Sequence, residues 1–268
     1  MARYRRKKGK NIMKIGAQLY SVNIKCKTEE GIRETIKAMK ELGYESVQIS
    51  GFEYDAEKIK AYSDEYNMHI GLTHTPITKI IEETDEVIRL HKIMGADVVG
   101  VGYPAGYVEN GIFNVEKFIE DISPAVKKIQ EAGLGFAYHN HDIEFENKGG
   151  YCDMDVMFEK TNWYFILDTG WCDVAGADVC AAIKKYASRL KYVHLKDFRE
   201  ARDEDSHAVD RIVPLFHGNV PVMEIIQALR EVGTVEVAYV EQDNASKAED
   251  PYGEMKESME QLKARGIL

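Results

Sequence analysis

No stretch of the 268-residue chain approaches the roughly 20 consecutive apolar residues that a membrane-spanning helix needs. Cysteine is scarce. Cys26, Cys152, Cys172 and Cys180 have no C-x-x-C spacing, which excludes a zinc ribbon, a thioredoxin motif and a disulfide framework. Such thiols read as reduced and suit a cytoplasmic protein. Only 6 prolines occur and no Pro/Gly/Ser-rich or low-complexity segment divides the chain, so a collagen-like, linker-split or disordered protein is excluded. The glycine fingerprint of dinucleotide and P-loop sites is missing too. Residues 16–23, after the first β-rich run, read GAQLYSVN.

The charge is unevenly placed. Arg3, Arg5, Arg6, Lys7, Lys8 and Lys10 crowd the first ten residues, and setting them aside takes the net charge from −10 to −16. Residues 1–12 are expected to be a disordered basic extension, with no apolar run behind them to make a secretory signal. A body at −16 suits neither nucleic acid nor an acidic membrane surface. It does leave carboxylates to spare for holding a cation.

One pattern recurs along residues 13–268: a helical stretch, a Gly or Asn, then a short β-rich run. Left-handed caps are expected at Gly43, Asn67, Gly95, Gly133, Asn162 and Gly233. Strands are expected at 13–21, 44–50, 68–74, 96–103, 134–141, 163–168, 190–196 and 235–241. Helices are expected at 29–41, 56–66, 82–94, 115–131, 154–160, 177–188, 221–231 and 251–264. Eight β/α alternations in about 250 residues predict a single-domain α/β protein, a (β/α)8 TIM barrel.

Reactive groups in such a barrel lie at the carboxyl ends of the strands. Here those ends read Gln18/Tyr20, Gln48/Ser50, His74, Tyr103, His139-Asn140-His141, Asp168, His194-Lys196-Asp197 and Glu241-Asp243. Asp168, His194 and Glu241 terminate three successive strands and are candidate metal ligands. The fourth is expected from strand five, with His139 first and Glu144 as the rival. Each has a plainer reading: Asp168 as a helix N-cap, His194 as an interior histidine, Glu241 as a salt bridge to Lys196. His141, Glu144 and Lys196 are the candidate catalytic groups, for proton transfer beside a carbonyl. Lys196 lies two residues past His194, hence on the same side, although a surface pair with Asp197 competes. Gln18, His74, Tyr103, Trp171 and His217 are candidate substrate contacts. Tyr20, Tyr103, Trp171 and Phe198 offer apolar walls. His69 is expected to be structural, His91 solvated on a charged helix, and His207 in a loop.

The segments AYHNHDIEFE, LDTGWCDVAGAD, VHLKDF, GNVP and VEQDN together resemble the sugar phosphate isomerase/epimerase family of xylose isomerase-like barrels, in the family's order from Met13 onward. The resemblance implies a divalent metal (manganese foremost; magnesium, cobalt or zinc otherwise) held by a Glu, Asp, His, Glu set. The last three carry over to Asp168, His194 and Glu241. Strand five departs, with His139-Asn140-His141 where many members end Glu-x-His or Glu-x-x-Asn. That form resembles the branch containing inosose dehydratases and enzymes acting on 3-keto sugars. Phe216-His217-Gly218 departs as well, where relatives commonly have a Gly-Glu-Gly type of turn.

The reading is a metal-dependent isomerase or epimerase of a small sugar or cyclitol, with a lyase or dehydratase as alternative and a non-catalytic sugar-binding barrel after that. An AP-endonuclease-like nuclease is disfavoured by the acidic body. Oligomeric state leaves no signature, although barrels of this kind often pair into homo-oligomers.

Overall fold

A computed structural model describes residues 13–202, 205 and 207–268 of the protein, so the basic segment 1–12 lies outside the described residues. Eight parallel strands close into a barrel: β1 (Lys14–Gln18), β2 (Ser46–Ile49), β3 (His69–His74), β4 (Val98–Val101), β5 (Gly135–His139), β6 (Tyr164–Asp168), β7 (Leu190–Leu195) and β8 (Val237–Val240). Each strand pairs with its sequence neighbours, and β8 returns to β1. The helices around it are α1 (Glu29–Leu42), α2 (Ala56–Tyr66), α3 (Ile77–Glu82), α4 (Thr84–Met94), α5 (Val115–Glu131), α6 (Asp153–Lys160), α7 (Thr169–Val174), α8 (Val179–Tyr186), α9 (Val222–Val232) and α10 (Pro251–Ala264). Among the described residues no helix is long and apolar enough to cross a membrane.

Local chemistry explains most boundaries. Gly43, Asn67, Gly95 and Gly233 close α1, α2, α4 and α9 in the left-handed region, and Gly133 takes it two residues after the end of α5. Asn162 does not. There α6 ends on an extended Thr161, whose hydroxyl donates to the Met157 carbonyl and accepts from Trp163 N. The first strand is shorter than expected because the Gln18 side chain accepts from Tyr20 N and starts a 3₁₀ turn over Leu19–Lys25. Two six-residue helices, α3 and α7, have no counterpart among the expected elements.

The strand period of two sorts side chains into two cores. Leu72, Val98, Ala137, Ile166, Tyr192, Val237 and Tyr239 fill the barrel, while Phe136, Tyr138, Phe165, Leu167 and Val193 face the helices. Continuing the inward set by two residues reaches His74, His139, Asp168, His194 and Glu241 at the barrel mouth. Registers hold them level, with Asp168 opposite His194 and His194 opposite Tyr239.

At the other end the lumen is stoppered by Tyr192 and Tyr239. Their hydroxyls reach the Gly71 carbonyl (3.2 Å) and Ser46 Oγ (2.8 Å). His69 bonds Ser46 nearby and stands 3.5 Å from Asp97, a structural role as expected. His91 reverses its expectation: it is 1% exposed, with Nδ1 on the Val87 carbonyl and Nε2 on Thr73 Oγ1. Its partners are a strand hydroxyl and its own helix, so it sews α4 to β3 rather than meeting solvent.

Space at the stopper is exhausted. A Cβ on Gly71 would lie 2.2 Å from the Tyr239 hydroxyl. Gly71→Ala is therefore expected to destabilise the chain by about 1–3 kcal/mol through overpacking, seen as a lower urea midpoint. Adding Tyr239→Phe, which removes the clashing oxygen, should recover part of the loss. A Gly71→Ala midpoint equal to wild type would contradict this packing.

Candidate metal centre

Four strand ends deliver His139, Asp168, His194 and Glu241 to one place. One ligand atom from each lies within 4.8 Å of all the others, and all four side chains are buried. Each carboxylate divides its oxygens. Asp168 Oδ1 caps α7 by accepting from Trp171 N (2.9 Å), while Oδ2 stands 3.3 Å from His139 Nε2. Asp168 is thus both N-cap and cluster member. Glu241 Oε1 accepts from Gln18 Nε2 (2.9 Å), while Oε2 faces His194 Nδ1 at 2.7 Å.

The imidazoles are oriented from behind. His194 Nε2 meets Gln48 Oε1 at 2.7 Å, and His139 Nδ1 meets the Gly102 carbonyl at 3.1 Å. Both partners are acceptors, so those nitrogens carry the protons and Nδ1 of His194 and Nε2 of His139 present lone pairs inward. Burial lowers the His194 pKa, which keeps that ring neutral. Its Nδ1 and Glu241 Oε2 then confront each other as two acceptors at 2.7 Å, with Nδ1 buried and without a donor and Oε2 facing only the Lys196 ammonium. A cation between them resolves the conflict, and the nitrogen/oxygen donor set suits a borderline or hard divalent ion.

Lys196 enters from the same side. Fully buried, its Nζ lies 2.9 Å from Asp168 Oδ2, 3.1 Å from Glu241 Oε2 and 2.7 Å from Asp243 Oδ2. Asp197, the competing partner, points elsewhere: its oxygens accept from Gly218 N and Val220 N and fasten the 216–220 loop. Burial opposes charge on Lys196, yet Asp168, Asp243 and Glu241 together hold its pKa well above the usual lysine value. Burial would likewise raise Glu241, but positive charge beside it, a proton on His194 Nδ1 and then the Lys196 ammonium, holds it well below the carboxylate range. Against burial, a second proton on His139, donated from Nε2 to Asp168 Oδ2, is favoured and the pKa of that ring is raised, so the pocket draws a proton where it would otherwise draw a cation. Three carboxylates and one ammonium leave two net negative charges with neutral imidazoles, matching a divalent ion.

Residues 36–265 match the model of the xylose isomerase-like TIM barrel family. The chain belongs to this family. It is 26% identical over 200 residues to an inosose dehydratase of Clostridium perfringens, covering 66% of this chain and 67% of that protein. An inosose dehydratase of Bacillus cereus is 30% identical over 148 residues, covering 46% of this chain and 47% of that protein. The matches thus span about half to two thirds of the length of these curated relatives. A sugar phosphate isomerase/epimerase from Parabacteroides distasonis superposes with a TM-score of 0.73 at 18% identity, covering 97% of both chains. The probable 3-DHS dehydratase of Bacillus anthracis superposes at 0.70 and 14%, covering 94% of this chain and 99% of that one. At such identities these structures show a shared fold.

The other residues expected at the strand ends separate clearly. His74 lies over His139 and His194 (ring centroids 5.1 and 5.5 Å), with Nε2 buried and unpartnered. His141 is flanked by Tyr103 (5.1 Å), His139 (5.0 Å) and Trp171 (5.6 Å), and its Nδ1 is also unpartnered. Gln18 is engaged at both ends, by Glu241 and Tyr20 N. Tyr103 and Tyr20 are exposed, whereas Phe198 is buried beneath Trp171 at 5.1 Å.

Two residues are not brought to the cluster. His217 is exposed and paired with Glu257 of α10 at 2.9 Å. Glu144 accepts from the Tyr138 hydroxyl (2.5 Å) and His141 N (2.7 Å), and Tyr138 faces the helices, so the Glu144 carboxylate sits behind the barrel wall. Of the strand-five rivals, it is His139 that stands among the other three donors. The sequence alone assigns no role to Gln48, Asn140 and Asp243. Asn140 Oδ1 accepts from Asp168 N at 2.9 Å and steadies the end of β6. The signal for Asp243 was present in the spacing: it follows Glu241 by two residues, as Lys196 follows His194.

Burial pushes the Glu144 carboxyl up to about 7 from an ordinary 4.5. The folded chain binds this proton more tightly than the unfolded one, so its contribution is full below pH 4.5 and is lost as pH rises through about 7. That amounts to about 3 kcal/mol. Glu144→Gln, which mimics the neutral carboxyl, should therefore gain thermal midpoint relative to wild type between pH 5 and pH 8 in chelator-treated protein. Parallel midpoints across that range would refute the shift.

Proposed function

We propose that the protein is a divalent-metal-dependent enzyme of a small sugar or cyclitol, removing a C–H proton beside a carbonyl and acting as an isomerase or epimerase. The observation that carries this is the convergence of His139, Asp168, His194 and Glu241 beside an unpartnered imidazole and a buried ammonium. A divalent cation on those four side chains, manganese foremost, would polarise the carbonyl and acidify the adjacent C–H.

The remaining chemistry falls to the chain. Burial first, then His139 and Lys196, push the His141 pKa down to about 3, so the ring is neutral but weakly basic; its unpartnered Nδ1 would take the proton only as the cation acidifies the C–H and negative charge grows beside it. The Lys196 ammonium is placed to stabilise negative charge growing on the substrate oxygen. His74 Nε2 and Trp171 Nε1, both buried without partners, are suited to hydroxyl groups. Tyr103 supplies an exposed aromatic face at the mouth for the C–H face of a ring. Protonation of the same carbon on its opposite face by a second acid is epimerisation, and delivery of the proton held by His141 to the neighbouring carbon is isomerisation. Expulsion of a β-hydroxyl instead is dehydration. This second reading is favoured by the curated relatives named inosose dehydratase.

The test is deuterium incorporation from heavy water into a panel of ketoses, inososes and 3-keto glycosides with Mn²⁺ present. Exchange into one of them is expected, and an unsaturated ketone product would select the dehydratase reading. No exchange with any would sink proton abstraction. Two variants divide the labour of the site. Asp168→Ala should abolish stoichiometric metal, read by elemental analysis. His141→Gln should keep the metal and lower kcat about 10²–10⁴-fold. Full activity in His141→Gln would remove that residue from the mechanism.

A further inference from the structure

The oxygens that face the four-donor group are also those that hold Lys196. Asp168 Oδ2 and Glu241 Oε2 each lie within 3.1 Å of its Nζ. A divalent cation and the ammonium therefore draw on the same two atoms. Asp243 Oδ2, 2.7 Å from Nζ, is the third carboxylate on that ammonium and stands outside the four-donor group.

Lys196 has little freedom to leave. Gly170 presses on its stem so closely that a Cβ there would lie 2.9 Å from Lys196 Cβ and 3.0 Å from Cγ. The Trp171 ring covers Nζ at 5.2 Å. The loop carrying Asp243 is fastened as well. Gln242 N donates to Ser21 Oγ, Gln242 Nε2 to Glu254 Oε2, and Asn244 Nδ2 to the Ile212 carbonyl, at 2.7–2.8 Å. A fixed carboxylate thus faces a confined ammonium.

We infer that Asp243 is a positioning residue that retains the Lys196 ammonium, so that a divalent cation can take Asp168 Oδ2 and Glu241 Oε2 without competing against it. This rests on the reading of the four donors as a divalent-cation site. Without Asp243 the ammonium has only the shared oxygens left, and it becomes an internal competitor of the metal. With Lys196 also removed, no competitor exists and Asp243 loses its effect on binding.

Calorimetric titration of the chelator-treated full chain with Mn²⁺ alone tests this, because it reads affinity rather than turnover. Asp243→Asn should weaken Mn²⁺ about tenfold or more, and Lys196→Met should tighten it. In the Lys196→Met background, Asp243→Asn should change affinity by at most about threefold. Loss of a nearby negative charge alone would weaken binding in both backgrounds. A loss beyond threefold in the Lys196→Met chain, or none in the wild-type chain, therefore overturns the inference. If Asp243→Asn does not fold, Asp243→Glu, which moves the carboxylate by one methylene, is compared in the same two backgrounds. A loss confined to the Lys196-containing chain is again the supporting result. A wild-type chain that binds no Mn²⁺ would instead refute the metal reading itself, and this inference with it.

Discussion

A fully buried ammonium surrounded by three carboxylates is the interaction on which the site depends. Removing a lone charge from water costs several kcal/mol, so no member of this group is tolerable in isolation. Lys196 makes it possible for Asp168, Glu241 and Asp243 to be ionised together, and they make it possible for a lysine to lie inside a barrel. The compensation is deliberately incomplete in sign, with two negative charges left over where neutral imidazoles point their lone pairs. The outer partners follow from the same need. Gln18, Gln48, Asn140 and the Gly102 carbonyl occupy the faces of the cluster members that turn away from the centre.

The barrel turns a one-dimensional regularity into this three-dimensional arrangement. Every strand alternates between the lumen and the helix layer, so the residue that ends an inward series arrives at the mouth without further adjustment. The eight strands, the single barrel and the convergence of Asp168, His194 and Glu241 were legible for that reason. Repeats of period two leave a trace in sequence, and glycine after a helix leaves another. His139 ends the inward series of β5, whereas the Glu144 carboxylate lies on the Tyr138 side of the wall.

What was not legible depended on partners distant in sequence. His91 reads as a polar residue on a charged helix, and only the approach of Thr73 explains its burial. Glu144 belongs to a short turn whose direction is set by Tyr138, and His217 to a loop whose conformation is set by Asp197 and α10. Helices α3 and α7 are six residues each, too short for a periodic pattern to register. Gln48 and Asp243 were visible as strand ends and lacked only a reason to matter, which Nζ of Lys196 and Nε2 of His194 supply.

The tyrosine stopper bears on traffic through the molecule. Tyr192 and Tyr239, bonded to the Gly71 carbonyl and Ser46 Oγ, close the barrel axis below the cluster. Among the described residues the barrel axis is thus shut on that side, and an ion or molecule bound at the four donors would exchange from the strand-end side. Arrival and departure are then mutually exclusive events, and a slow-leaving molecule blocks its successor.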